Sequence, residues 1–489
     1  MFKALLKVKP VGVTTSDITT EASAPPSDAL KRTLTARHLI VMGVGGVIGA
    51  GIFVVTGQAA AAHAGPAIVI SFVLAAIACA FAGLCYAEFA AMLPVSGSAY
   101  SYAYATMGEG VAWLIGWCLT LEYLFASSSV AVAWSAYTTG FLHSAFGIDF
   151  PAALTNGPYA WGEQGFYASG SMVNLPAMLI VAAISMLCFR GVQQSTTVNA
   201  IIVAVKMTVI CLFVGYGAMH ITPHNWVPFI PQNTGIWGEF GWSGVLRAGS
   251  IVFFAYIGFD AVSTAAGETK NPQRNMPIGI LCTLVLCTVV YMIVSFVLTG
   301  IVPYTDLNTA KPVATALNFL HAPKAFSSLI DIGAIAGLSS VILIMIMGQV
   351  RITYTIARDG LLPEVFGKVH PRYGIPHYST IVVGILAALL SGFLPLSVLG
   401  EMVSMGTLLA FTTVCIGVMV LRITNPSAPR PFRVPFYMII CPLGALFCTA
   451  LFLMAFSDHW IFFISWIVLG AIIYFFYGIH HSRLAKTAT

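Results

Sequence analysis

Long apolar runs separated by short polar stretches dominate the hydropathy pattern of this chain. Runs of about 17–25 apolar residues have the length at which a helix crosses the hydrocarbon core of a bilayer. Twelve such segments are predicted, at approximately 38–63, 66–93, 111–143, 173–191, 195–219, 243–268, 276–301, 324–359, 378–394, 398–422, 434–456 and 460–481. The pattern therefore predicts an all-α polytopic membrane protein with 12 transmembrane helices.

Composition and charge support this prediction and give it an orientation. The 489 residues are 58% hydrophobic and 8% charged, whereas soluble domains carry about 25% charged residues. With the N-terminus inside, eighteen of the 22 Lys and Arg residues fall on the cytoplasmic side, which is the positive-inside signature. We therefore expect a multi-pass protein of the cell (plasma) membrane with cytoplasmic N- and C-termini. The sequence has no Asn-x-Ser/Thr glycosylation acceptor in which x is not Pro, which fits a bacterial inner membrane. The net charge of +5 reflects this topology and does not indicate a nucleic-acid partner.

Two of the predicted segments carry features that interrupt a helix. The stretch GVGGVIGAGIF, residues 43–53, places five glycines near the middle of the first segment, where each costs roughly 0.5–1 kcal/mol relative to alanine. The sixth segment contains Gly258, followed by the acidic Asp260. Close packing of a glycine face on a neighbouring helix is the alternative explanation for the first stretch alone. Two interruptions at matching positions of inverted five-helix halves instead indicate a transporter site at the midplane.

The chemistry of an interrupted helix suits a zwitterion. An unwound stretch frees backbone N–H and C=O groups, which the membrane interior tolerates only where a cavity or ligand satisfies them. The half-helix that begins after a break favours a carboxylate, and the carbonyls that end the half before it suit an ammonium group. An L-amino acid carries both groups, so it is the predicted substrate.

Several motifs in order resemble the amino acid–polyamine–organocation (APC) superfamily, and most closely a bacterial cationic amino acid transporter (CAT) group permease. They are GVGGVIGAGIF, CYAEFAAMLPVSGSAYSY (85–102), FFAYIGFDAVSTAAGETKNPQRNMPIGI (253–280), ARDGLLP (357–363) and RPFRVP (430–435). The resemblance implies a five-plus-five inverted repeat (LeuT-like) with discontinuous helices 1 and 6, two additional helices and alternating access. It also implies that the substrate carboxylate meets the backbone at Ile48, Gly49, Ala50 and Gly51, and the amino group meets carbonyls at Phe254, Ala255 and Ile257. Either Phe254 or Phe259 would form an aromatic lid.

These elements divide the chain into five expected parts. Residues 1–37 form a disordered cytoplasmic tail, 38–219 the first inverted repeat and 243–422 the second. Helices 11 and 12 occupy 434–481, and residues 482–489 form a cytoplasmic C-terminal tail.

Lys206 is the predicted proton-coupling residue. Eleven residues of helix separate it from Ser195, which places it about 16 Å into the membrane. Burial disfavours the charged form of an amine, so this lysine can exchange a proton. In family members that the chain resembles, a lysine here takes the place of a sodium ion and joins helices 1, 5 and 8. A snorkelling lysine is the alternative, although water lies far from the midplane.

Two acidic residues within the membrane are further candidates. Glu122 lies at a similar depth in the third segment, where carboxylates are costly and functional by default. It could partner Lys206 through water, recognise a cationic substrate side chain, or form a structural hydrogen bond. Asp260 could cap the second half of helix 6 or act in a gate.

Other charged and bulky residues are predicted around the site. Met345 and Ile346 could line the side-chain pocket, or belong to the core. Arg247 faces an external vestibule or pairs with Glu239. Charged residues at the cytoplasmic helix ends could close an inner gate or simply set topology. Those assigned to the gate are Glu88, Glu268, Arg274 and Arg351, together with Asp260 of helix 6.

These features predict a secondary active amino acid permease that couples proton symport to uptake of small neutral or cationic L-amino acids. The alternative is an amino acid exchanger on the same fold, and a transporter-like sensor ranks lower. The ten cysteines and eleven histidines form no motif with metal-ligand spacing, so no enzyme activity, metal or cofactor is expected. The expected partners are the substrate, protons and membrane lipids. The sequence does not identify protein partners or choose between cationic and neutral substrates.

Overall fold

A bundle of helices with one short β-hairpin makes up the protein. The computed structural model describes residues 8–9, 32–162, 165–190, 192–370 and 373–486. Its principal helices are α1 (Ala36–Val47), α2 (Ile68–Met92), α3 (Ser98–Thr106), α4 (Glu109–Phe146), α5 (Leu175–Phe189), α6 (Val192–Ala218), α7 (Gly241–Val252), α8 (Ala261–Thr264), α9 (Pro272–Ile301), α10 (Pro312–Phe319), α11 (Lys324–Arg358), α12 (His377–Phe393), α13 (Leu396–Thr424) and α14 (Tyr437–Ile473). Strands β1 (Tyr159–Gly162) and β2 (Gly165–Ala168) pair antiparallel.

The helices have the length and composition of membrane-spanning segments. Within the described residues, nine helical stretches are long and apolar enough to cross a membrane, and two shorter apolar helices, α5 and α12, accompany them. One stretch, Ala36–Met92, has 57 residues and would measure about 86 Å if straight, against a hydrocarbon core of about 30 Å. Breaks at Ile48 and Gly65 divide it. The chain is therefore a multi-pass membrane protein, and the number of twelve crossings stays a prediction.

The first predicted interruption is a real break in the helix. α1 ends at Val47, and Ile48 adopts an extended conformation with ψ of 102°. The helix resumes at Gly51 in a π-helical turn to Val55 and continues irregularly to Ala64. We call residues 51–64 the outer half of the first broken helix.

The second predicted interruption is a break as well. α7 ends at Val252, a 3₁₀ turn follows over Phe253–Tyr256, and Ile257 is extended with ψ of 133°. Gly258 then has φ of +114°, which residues with a side chain rarely adopt, before α8 begins at Ala261. A glycine is required at this position because the chain changes direction there.

Long helices surround the two broken ones. α4 packs against α11 and α13, and α9 packs against α1 and α2. The broken helices therefore lie inside the bundle, where their unwound backbone is shielded from lipid. The five-plus-five repeat, with its proposed halves 38–219 and 243–422, stays a prediction.

The two ends of the bundle are distinguished by loops. At one end, Trp161 of β1 contacts His459 with ring centroids 4.8 Å apart, and His459 interrupts α14 with non-helical backbone angles. At the other end, Leu34 forms a parallel bridge with Thr269. We call these the outer and inner ends, after the orientation predicted from the basic residues.

The described residues of the predicted terminal tails pack against the bundle, and the rest of both tails stays a prediction. Leu34 donates its amide to the Glu268 carbonyl at 3.0 Å, and α1 already begins at Ala36, so residues 32–37 are ordered rather than a free tail. Ser482 is buried and its hydroxyl lies 2.5 Å from a carboxylate oxygen of Glu109. Residues 1–7, 10–31 and 487–489 of the predicted tails lie outside the described residues.

Candidate substrate and coupling site

The two breaks lie directly against each other. A side-chain carbon added at Gly51 would come within 2.3 Å of the Ala255 Cβ. A side-chain carbon added at Gly258 would lie 2.9 Å from the Gly46 carbonyl oxygen and 2.8 Å from the Met345 Cε. Glycine at these positions therefore permits the two unwound segments to touch. This close contact explains why glycines are found at the breaks of these membrane helices.

The first break presents backbone amides of the kind that bind a carboxylate. Ile52 and Phe53 donate to the Gly49 carbonyl at 3.1 and 3.2 Å, which are the first bonds of the outer half. The amides of Gly49, Ala50 and Gly51 precede these bonds, at the positive end of a helical segment. The predicted carboxylate site thus has the required polarity, while binding there stays a prediction.

Lys206 joins three elements at the first break. Its buried Nζ donates to the Gly45 carbonyl at 2.9 Å, to the Ile48 carbonyl at 2.8 Å and to the Ser340 hydroxyl at 2.9 Å. Ser340 in turn donates to the Gly45 or Gly337 carbonyl. An ammonium group has three N–H donors, so the charged form of Lys206 matches all three acceptors. These bonds join the first broken helix to α6 and α11, and a role of Lys206 in proton coupling stays a prediction.

Tyr291 of α9 joins the two breaks to each other, and the sequence analysis missed it. Its hydroxyl lies 2.8 Å from the Val47 carbonyl and 2.7 Å from the Ala255 carbonyl. One hydroxyl hydrogen donates to one carbonyl at a time, so the two breaks share this donor. The only sequence signal is a polar aromatic residue inside an apolar helix, which is common in membrane proteins.

The carbonyls predicted to meet an ammonium group differ in their availability. Ala255 O already accepts from Tyr291, and Phe254 O accepts from the Ile257 amide at 3.3 Å. Ile257 is extended and 4% exposed, so its carbonyl belongs to the unwound stretch. Ile257 is therefore the best placed of the three for the predicted contact.

Glu122 is fully buried beside a second carboxyl group. No donor among the described residues reaches either of its carboxylate oxygens, and the neighbouring Thr407 hydroxyl donates to the Val403 carbonyl at 2.9 Å. The charged group that faces Glu122 is Asp260. Because the three donors of Lys206 all bind other partners, Glu122 forms no direct pair with it.

Asp260 precedes α8 but does not cap it with its side chain. Its carboxylate instead accepts from the Tyr123 hydroxyl at 2.6 Å and from the Gly258 amide at 3.3 Å. The side chain thus ties the second break to α4. Asp260 thus occupies the N-cap position of α8 without the side-chain hydrogen bond of a cap, and a role in gating stays a prediction.

The two aromatic candidates for a lid lie in different surroundings. Phe254 lines a cavity of about 320 Å³ on the outer side of the breaks. Phe259 is fully buried, with its ring 6.1 Å from that of Tyr86 and 5.1 Å from that of Phe411. The geometry favours Phe254 as the residue that can cover a bound molecule. Met345 contacts the second break, as described above, while Ile346 is fully buried in the core.

The predicted gate residues fall into separate groups. Glu268, at the end of the second broken helix, pairs with Arg351 of α11 at 2.8 Å. Glu88 instead binds Arg422 through both carboxylate oxygens, at 3.0 and 2.6 Å, and accepts from the Val434 amide. Glu88 therefore anchors α2 to the end of α13, apart from the breaks. Arg274 is exposed at the start of α9 and forms no ion pair within the described chain.

Arg247 lines the outer cavity. A position facing an external vestibule was one of the two alternatives predicted for this residue. Its NH2 lies 3.4 Å from Glu401 Oε1, whereas the Glu239 carboxylate accepts from Thr234. Arg247 thus pairs with Glu401, a residue that the sequence analysis did not single out.

Comparison with known proteins identifies the family to which the chain belongs. Residues 34–477 match the model of the family described as amino acid permease. The chain belongs to the amino acid permease family. The predicted APC superfamily is thereby confirmed, and the family consists of transporters rather than enzymes.

Curated relatives of this permease differ in the substrates that their names state. The chain is 46% identical to a methylthioribose transporter of Bacillus subtilis over 94% of its own length and 96% of the relative. It is 43% identical to a branched-chain amino acid permease of the same organism, over 95% and 96%. It is 39% identical to a vacuolar cationic amino acid transporter of Arabidopsis thaliana, over 81% and 64%. Family membership therefore leaves the substrate open.

Proposed function

We propose that this permease is a secondary active symporter that couples protons to the uptake of L-amino acids across the plasma membrane. Both termini face the cytoplasm, the first ten of the twelve segments form the five-plus-five inverted repeat, and the last two are additional helices. The observation that carries the proposal is the bond network of Lys206, which ends on two carbonyls of the broken helix itself. Protonation of Lys206 and the conformation of the first break are then linked.

The coupling follows from a count of donors. The ammonium form supplies three N–H groups to Gly45, Ile48 and Ser340, whereas the neutral amine has two N–H groups and leaves one acceptor without a donor. A buried polar group that loses its hydrogen-bond partner costs about 1–3 kcal/mol. Release of the proton therefore weakens the hold of α6 and α11 on the first break, and uptake of a proton restores it.

The substrate is bound where the breaks meet. Its carboxylate faces the amides of Gly49, Ala50 and Gly51, and its ammonium group faces the Ile257 carbonyl. Phe254 covers it from the outer cavity, and the Glu268–Arg351 pair closes the inner end. Small neutral and cationic amino acids are both candidates, and the branched-chain permease among the relatives supports a neutral one.

Uptake into proteoliposomes tests the proposal. Labelled alanine, leucine and arginine are offered to wild type, Lys206→Ala and the control Thr208→Ala, which changes an exposed residue on the same helix. Concentrative uptake that needs an acid-outside pH gradient, persists in Thr208→Ala and is lost in Lys206→Ala is expected. Sodium-driven uptake, or gradient-driven uptake that survives in Lys206→Ala, would contradict it.

The same vesicles separate the competing functions. Uptake that ignores the pH gradient and requires unlabelled amino acid inside identifies an exchanger. Binding of amino acid without any flux identifies a sensor. Labelled methylthioribose is included because a relative of 46% identity carries that substrate in its name.

A further inference from the structure

A smaller cavity lies between four helices near the inner end of the bundle. It has a volume of about 170 Å³ and is lined by α4, α11, α12 and α14, together with the turn that follows α11. Aromatic side chains form much of its wall, namely Trp113 and Trp117 of α4, Trp466 of α14 and Phe366 of the turn. Among the described residues that line it, none is charged and none belongs to a broken helix. The cavity therefore suits an uncharged molecule and is separate from the place where the breaks meet.

The three tryptophans present rings to this cavity, because their N–H groups are already bound. Trp113 Nε1 donates to the Gly470 carbonyl at 2.9 Å. Trp117 and Trp466 each donate to the backbone carbonyl of the other, at 2.8 and 3.1 Å, and their rings stack with centroids 4.6 Å apart. The faces and edges of such rings attract a further aromatic ring. A ligand thus meets aromatic surface on the side of α4 and α14.

One polar atom at the cavity has no partner. Gln349 of α11 is 1% exposed, and its Nε2 donates to the hydroxyls of Thr120 at 3.2 Å and Thr353 at 3.0 Å. The Thr120 hydroxyl gives its own hydrogen to the Gly116 carbonyl, so the Gln349 atom beside it must be the donor nitrogen. The other atom, Oε1, is buried and accepts from no donor in the described part of the chain. Buried polar groups are normally satisfied, which indicates that a molecule in the cavity supplies the donor.

The size and polarity of the cavity define this molecule. A volume of about 170 Å³ is too small for a drug-sized ligand, whereas an engineered apolar cavity of about 150 Å³ binds benzene. A water molecule needs two to four polar partners, but the hydroxyls of Thr120 and Ser379 already donate to backbone carbonyls. A single aromatic ring with one donor group therefore matches the cavity better than water does.

The cavity is accessible from the side of the bundle. Val382 and Leu386 of α12 line it and are 38% and 44% exposed. They lie four residues apart and thus on the same face of α12. This face is apolar in a membrane protein, so a ligand that dissolves in the hydrocarbon core can enter between α12 and α14.

We propose that this inner cavity is a binding site for a small neutral phenol. The ring packs against Trp117 and Trp466, and the hydroxyl donates to Gln349 Oε1. The inference goes beyond the proposed transport of amino acids and does not depend on it, because a charged amino acid finds no charged partner among the described lining residues.

Fluorine NMR of para-fluorophenol tests this site on the full chain in lipid nanodiscs, with protein-free nanodiscs to measure partition into the lipid. The second probe, para-fluorotoluene, has nearly the same shape but no donor. In Gln349→Met, which keeps the length of the side chain and removes the acceptor, we expect affinity for the phenol to fall about tenfold, the loss of one hydrogen bond. Affinity for the toluene should stay the same. The matched control is Gln58→Met, which removes a carboxamide at the outer cavity and should change neither affinity.

Three outcomes overturn the inference. Binding of the phenol that does not exceed the protein-free background means that a lipid chain or water fills the cavity. Equal affinity for the phenol in the wild type and Gln349→Met, or an equal loss of both probes, means that Oε1 receives no donor from it. Should Gln349→Met not fold, Val382→Trp at the exposed rim should weaken both probes, and unchanged affinities in that variant place the phenol elsewhere.

Discussion

The hydroxyl of Tyr291 offers a single-atom test of how the two breaks are held together. Tyr291→Phe removes the donor shared by the Val47 and Ala255 carbonyls, while the ring keeps its place against Phe72 and Tyr256 at centroid distances of 5.4 and 5.3 Å. A neutral hydrogen bond contributes about 0.5–1.5 kcal/mol, and a buried carbonyl left without a donor costs about 1–3 kcal/mol. We expect a net loss of about 1–2 kcal/mol from the state in which the breaks touch.

That loss shifts the equilibrium between joined and separated breaks about 5- to 30-fold. Hydrogen–deuterium exchange measures it directly, because amides in locally opening segments exchange faster. Peptides that cover residues 43–55 and 253–264 should exchange faster in Tyr291→Phe than in the wild type, while peptides from α5 and α12 should not change.

The control for this experiment is another buried tyrosine. Tyr86 is fully buried, and its hydroxyl has no partner among the described residues. Tyr86→Phe removes a hydroxyl without breaking a bond, so it should leave exchange at the breaks unchanged or slightly slower. Equal exchange in Tyr291→Phe and the wild type, or equal acceleration in both phenylalanine variants, would refute the reasoning.

Two further predictions concern residues at the breaks. Glu122→Gln should fold as well as the wild type, because the charged group that faces Glu122 is Asp260 and no donor in the described part of the chain reaches its carboxylate oxygens. Selective loss of arginine uptake, with alanine uptake kept, would show instead that Glu122 recognises a cationic side chain. Gly51→Val should reduce transport strongly, because even its Cβ would overlap the Ala255 Cβ at 2.3 Å and separate the breaks. The control is Gly215→Val in α6, where an added Cβ would meet no described atom from outside its own stretch of helix within 4 Å. Equal uptake in both variants would contradict the close approach.

The sequence identifies the broken helices and Lys206 because each violates a local rule. Glycines in a membrane helix and a lysine far from water are both unfavourable without a compensating structure. The compensation is visible in the packing of Gly51 on Ala255 and in the carbonyls that accept from Lys206. Local sequence patterns therefore locate those residues that would be unfavourable in a membrane helix without a compensating structure.

Pairings between distant segments escape this reasoning. Glu88 was predicted in a gate because it lies at a cytoplasmic helix end, yet it binds Arg422, 334 residues away. Arg247 was recognised as unusual, but Glu401, 154 residues away, could not be chosen as its partner from spacing. Tyr291 obeys every local rule, and only the position of the carbonyls freed at the breaks gives its hydroxyl a role.

The carbonyls freed at the two breaks have donors of two different kinds. Gly45 O and Ile48 O accept from Lys206, whose number of N–H groups depends on its protonation. Val47 O and Ala255 O share the hydroxyl of Tyr291, which keeps its hydrogen across the physiological pH range. In the proposed mechanism, loss of a proton from Lys206 thus weakens the hold of α6 and α11 on the first break while the link of this break to the second one persists. The two broken helices would then move together as one unit against the surrounding bundle, which is the motion that alternating access requires.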